Sequence, residues 1–169
     1  ERVHRYRALT ARNLPELVER GLIPAADEPA IRAVAAVLPF RTNTYVVDRL
    51  IDWSAVPDDP IFRLTFPQPD MLDRDDLAQL VALQQRGAPD GEVRGAAHEI
   101  RMRLNPHPDG QLDLNTPTYQ GRRLLGVQHK YPQTVLVFPS QGQTCHAYCT
   151  YCFRWAQFVG EPDLRIATS

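Results

Sequence analysis

Apolar residues recur at helical spacing through the first two-thirds of the chain. Leu14, Leu17 and Val18 form a stripe behind Asn13, a good N-cap, with Pro15 early in the helix and Gly21 as its stop. A second helix is predicted from Asp27 and Pro29, with Ile31, Val34, Ala35 and Leu38 on one face and Pro39 ending it. Thr44 to Leu50 carries a weaker helical pattern. Asp73 caps a third clear helix, with Asp76 at the capping-box position and Leu77, Leu80, Val81 and Gln84 leading to Gly87. Glu92 to Leu104 is the fourth, with Val93, Ala96, Ile100 and Leu104 spaced for one face, and Asn105 to Gly110 end it. The stretch DDPIFRLTFPQPDM, residues 58–71, is too proline-rich to predict regular structure, and residues 111–131 read as loop.

The period then changes. Thr134, Val135, Leu136, Val137 and Phe138 make a β-branched and apolar run that predicts a buried strand, broken by Pro139, Ser140, Gln141 and Gly142. That switch puts a boundary near Gln120 to Gln128. It divides the chain into a helical N-terminal region, 1–127, and a region that starts with the strand, 128–169.

Composition narrows the class. The 169 residues suffice for a domain with a core, and 43% hydrophobic with 23% charged residues is ordinary for a globular protein. The formal charge of −1 gives no electrostatic case for nucleic acid or an anionic membrane, and no apolar stretch reaches the length of a membrane span. Arg2, Arg5, Arg7 and Arg12 read as a solvated helical face, since no apolar core or cleavage site follows them.

The candidate chemistry lies in TCHAYCTYCFR. Cys145, Cys149 and Cys152 are the only cysteines in the chain and are spaced CxxxCxxC. A cubane iron–sulfur cluster ordinarily uses four thiolates. Three thiolates hold three irons and leave the fourth with an open position, where a metal does chemistry. Tyr151 places an aromatic ring beside the last cysteine. Other readings stay open. Three cysteines with His146 could hold a structural zinc, although zinc sites more often pair CxxC units at wider separation. A disulfide would leave one thiol over, and plain buried cysteines would have to cluster by coincidence. His107, in a proline turn, reads as solvated. His129 reads as making a local hydrogen bond, and His146 as a position where backbone geometry matters more than the ring.

The cysteine run, with a strand ahead of it, resembles the cluster loop of the radical S-adenosylmethionine enzymes. Two further segments, DDPI at Asp58 to Ile61 and HKYP at His129 to Pro132, resemble the lysine 2,3-aminomutase family within that superfamily. The likeness covers most of the chain after about Ile51. It implies an α/β fold, a helical N-terminal region leading into a partial (β/α) barrel, with the cluster loop after the first strand at the face where barrels place active sites.

The resemblance also implies roles. Cys145, Cys149 and Cys152 match the cluster ligands of a 4Fe–4S centre, and Tyr151 matches the aromatic residue near the adenine of S-adenosylmethionine. Arg154 matches an arginine that holds a substrate carboxylate, as a guanidinium fork can. The plainer reading of Arg154 is a surface arginine near a helix start. Lys130 and Tyr131 match an arginine–tyrosine pair on pyridoxal phosphate. Thr134 stands where a second phosphate-binding arginine is expected, and the strand-to-cysteine stretch is longer, with Gln141, Gly142 and Gln143 as the extra length.

The implied activity is that of a radical isomerase. An aminomutase generates a 5′-deoxyadenosyl radical and moves an amino group on an amino-acid-like substrate. An electron donor such as flavodoxin or ferredoxin is implied, a homo-oligomer is allowed, and an oxygen-labile cluster fits a reducing cytoplasm. A radical enzyme working without pyridoxal phosphate and a zinc-bearing binding module are the alternatives. Both ends read as cut, at Glu1 and Ser169. The rest of the barrel, the Schiff-base lysine and most of the adenosylmethionine pocket are therefore expected beyond Ser169, and no turnover is expected from these residues alone.

Overall fold

The structure, a computed structural model, describes residues 6–139, 141, 145, 147–149, 152 and 154–166. These are mixed α/β, with helices and small antiparallel sheets, and no closed barrel forms among them. They divide into two compact units, residues 6–101 with 147–149, and residues 102–139 with 141, 145, 152 and 154–166.

The first unit is helical. Strand β1 (Ala8–Leu9) pairs antiparallel with β2 (Thr42–Asn43). Between them run α1 (Leu14–Glu19) and α2 (Glu28–Val37), and after them a π turn, Val46–Leu50. The apolar spacing located α1 and α2 correctly, and Gly21 leaves α1 at φ 69°. Asn13 stands at the N-cap, but its side-chain oxygen accepts from the Thr10 amide (3.0 Å). The buried face of α2 is Ile31, Ala33, Val34 and Val37, while Ala35 and Leu38 are only half-buried. The face is wider than one stripe because α2 serves two cores. Ile31 joins Leu9, Leu14, Leu17, Val47, Phe62 and Phe66, whereas Ala33, Val34 and Val37 join Leu80, Leu83, Ala97 and Ile100. Arg7 precedes a strand and lies on no helix. Its carbonyl accepts from the Thr44 amide (2.9 Å), its amide donates to the Thr44 hydroxyl (3.1 Å), and its guanidinium meets Glu16 at 2.5 Å.

Residues 58–71 do contain regular structure. Helix α3 (Pro60–Thr65) forms there, because proline at the first helical position gives up an N–H that has no partner in any helix. Asp59, 5% exposed, supplies the cap. Its carboxylate accepts from the Phe62 amide (2.6 Å) and from the Asp52 amide (3.2 Å). Phe62 stacks on Phe66 at 4.8 Å between ring centroids, with Trp53 edge-on to both.

Helix α4 (Arg74–Gln85) starts as predicted, with the Asp73 carboxylate accepting from the Asp75 amide (2.9 Å). Helix α5 (Asp90–Arg103) buries Ala96, Ala97 and Ile100, whereas Leu104 lies past its end and is exposed. The same helix buries a charge. Arg101, 7% exposed, donates to the carbonyls of Val37 (2.7 Å) and Ala36 at the end of α2. Those are carbonyls that a helix leaves without intrahelical partners.

The second unit is built of hairpins. Strands β3 (Thr118–Tyr119) and β4 (Arg122–Arg123) meet across Gln120 and Gly121, both at positive φ. Strand β5 (Val127–Tyr131) pairs antiparallel with β6 (Thr134–Val137). Residues 111–131 are therefore not all loop. From Gln128↔Leu136 to Tyr131↔Thr134 the first strand advances one residue more than the second, so His129 and Lys130 sit at a bulge. The polar run QHKY hides β5 from a periodicity reading. Strand β6 forms where the apolar run predicted it but is exposed throughout, Val135 at 53% and Val137 at 61%. Its sheet has two strands, and no layer covers that face among the described residues. Phe138, one residue on, is buried, and its amide bonds the Gly126 carbonyl (2.7 Å).

His107 is not solvated. Both ring nitrogens are shut from solvent with no hydrogen-bond partner among the described residues. Burial pushes its pKa down, against the opposing pull of the Asp113 carboxylate. An unfolded chain therefore takes up this proton more readily than the folded one. Stability should be full above about pH 7 and should fall as the pH drops below the free imidazole value of about 6.5. The urea midpoint measured from pH 7.5 to 5.5 should decline in the wild type and stay flatter in His107→Phe. Parallel slopes in the two proteins would remove His107 as the cause.

Candidate metal centre

The segment after β6 carries the three thiols. Cys145 and Cys152 are half-buried, Cys149 is exposed, and none is in a disulfide. The donor chemistry suits a soft metal, three thiol sulfurs within eight residues. Among the described residues, no three His, Cys, Asp or Glu groups are placed to share an ion. Tyr151 and His146 lie outside the described residues.

One described residue that the spacing did not single out is anchored by two hydrogen bonds. Tyr148 donates its amide to the Leu64 carbonyl (2.7 Å) and its hydroxyl to the Pro39 carbonyl (2.8 Å), both within the first unit. Its partner Pro39 is 109 positions away in sequence, so no local pattern could have revealed it.

In the second unit Arg154 is exposed, and its guanidinium carbon lies 6.0 Å from the centroid of the buried Phe138 ring. It precedes a short 3-10 turn, Trp155–Phe158. Behind that turn Gln157 accepts from the Ile166 amide (2.9 Å), while Leu164 and Ile166 are buried.

The two hairpin strands and the chain before them enclose a pocket of about 260 Å³. Lys130, Tyr131 and Thr134 line it together, with Gln111, Asn115 and Gln128. Gln128 is buried and donates its side-chain amide to the Gln111 carbonyl (2.7 Å). His129 is exposed, and its backbone amide donates to the Asn115 carbonyl (2.7 Å). The three residues that sequence reasoning gathered from one short run thus share one cavity. The three amide side chains were not anticipated, because nothing in their spacing brings them together.

No helix of the described residues is long and apolar enough to cross a membrane. Compared with protein-family models, curated proteins and solved structures, the chain matches none.

Proposed function

We propose that this chain carries the cluster loop of a radical S-adenosylmethionine enzyme, an isomerase of the aminomutase kind. The observation that carries the reading is the CxxxCxxC spacing of three thiols, none in a disulfide, in the segment that follows a strand. Cys145, Cys149 and Cys152 would each give a thiolate to a 4Fe–4S cluster. A cluster held there would supply the electron for reductive cleavage of S-adenosylmethionine.

The chain's own residues bind and orient. Tyr151 would lie against the adenine. Arg154, exposed and set over Phe138, would pair its fork with the carboxylate of an amino-acid-like substrate. Lys130 would meet the phosphate of pyridoxal phosphate, with the hydroxyls of Tyr131 and Thr134 beside it in the same pocket. One ammonium and two hydroxyls bind a phosphate less tightly than two guanidinium forks would. Thr134 is also the residue that favours the second reading, a radical enzyme without pyridoxal phosphate.

The partial barrel is part of the proposal. The outer edge of β6 pairs with no strand among the described residues, and Val135, Leu136 and Val137 present an uncovered apolar surface. Both features support a further strand and a covering layer. A reducing cytoplasm and a flavodoxin or ferredoxin donor go with an oxygen-labile cluster.

The test is spectroscopic. The anaerobically reconstituted chain, reduced with dithionite, should give the electron paramagnetic resonance of a reduced 4Fe–4S cluster, and adding S-adenosylmethionine should change that signal. A signal indifferent to S-adenosylmethionine would remove the open iron. Tight zinc binding with no signal at all would favour the binding module.

A further inference from the structure

Two of the segments singled out in the sequence are joined by one short helix. At its start, Asp59 of the DDPI run caps α3 through the Phe62 amide and also holds the Asp52 amide. At its other end, Leu64 is one of the four final carbonyls that a helix leaves without an intrahelical partner. That carbonyl accepts the amide of Tyr148, the residue directly before Cys149. The Tyr148 hydroxyl reaches the Pro39 carbonyl, two residues past α2. The backbone that carries Cys149 is therefore bonded to the ends of two helices, one of them built by the DDPI run.

We infer that α3 is the seat of the loop segment around Cys149 and that Tyr148 is the positioning residue for the Cys149 thiolate. The inference rests on the metal reading above and adds to it a physical role for the helical unit. Fixing a loop residue's backbone costs conformational entropy. With the segment docked beforehand, less of that cost falls on metal binding. Cys149 is exposed although its neighbour is tied down, so its thiol is held ready without being covered.

The test is Tyr148→Phe in the whole chain. The variant loses the hydroxyl bond and keeps the ring and the amide. Two readouts separate the claims. In the metal-free chain, hydrogen–deuterium exchange at the Tyr148 amide should quicken about tenfold, with the amides of α2 and α4 unchanged. Cobalt(II), followed by its thiolate charge-transfer absorbance, should bind about tenfold more weakly, the usual effect of removing a group that orients a ligand. Faster exchange with unaltered cobalt affinity would overturn the positioning role, as would unaltered exchange. A general rise in exchange through α2 and α4 would also overturn it, making Tyr148 a packing residue. A wild type that binds cobalt but takes up no iron and sulfide sinks the cluster reading and leaves Tyr148 in its role. A wild type that binds no cobalt overturns both.

Discussion

Alanine in place of Cys145, Cys149 or Cys152, one at a time, should each abolish cluster assembly. Three thiolates are the minimum that leaves one iron open, so there is no spare ligand. Iron after anaerobic reconstitution should drop from about four per chain to well under one in every variant. The fold should barely notice. Cys149 is exposed and the other two are half-buried, so each truncation should change stability by about 0.5 kcal/mol or less. Loss of iron with an unchanged urea midpoint is the expected pair of results. A single variant that keeps its full iron would show that this cysteine is not a ligand.

Arg101→Ala should be among the most damaging substitutions for stability. The guanidinium is 7% exposed and donates to two carbonyls at the end of α2, the helix shared by both cores of the first unit. Burial pushes its own pKa down, so its charge is held in place by those bonds against the cost of desolvation. Removing it leaves the Val37 and Ala36 carbonyls without this donor. A loss of about 3 kcal/mol is expected, a fall in melting temperature of roughly 10 °C or more for a unit of this size. Arg101→Lys should recover only part, because one ammonium cannot reproduce the fork. A melting temperature within about 2 °C of wild type for Arg101→Ala would mean that solvent replaces the fork without cost.

What the sequence disclosed follows from how far each interaction reaches. Helices α1, α2, α4 and α5 were legible because their apolar spacing and their stops lie within the helix itself. Helix α3 was missed because its prolines were counted as breakers, whereas Pro60 sits at the one helical position that tolerates it. Strand β5 was missed because its residues are polar and bulged, and β6 was found but expected to be buried. Exposure depends on neighbouring layers, which a strand's own residues do not encode. The cysteine spacing is legible as three sulfur donors in one short run. Tyr148 and Arg101 were not, since their partners stand dozens of positions away. Side chains that act across such distances leave no periodic trace.

The most direct measurement is metal and sulfide analysis of the wild-type chain after anaerobic reconstitution. About four irons and four sulfides per chain, with a brown absorbance that dithionite bleaches, is the result a three-thiolate cluster loop predicts. One tightly held zinc, no sulfide and no response to dithionite would contradict it.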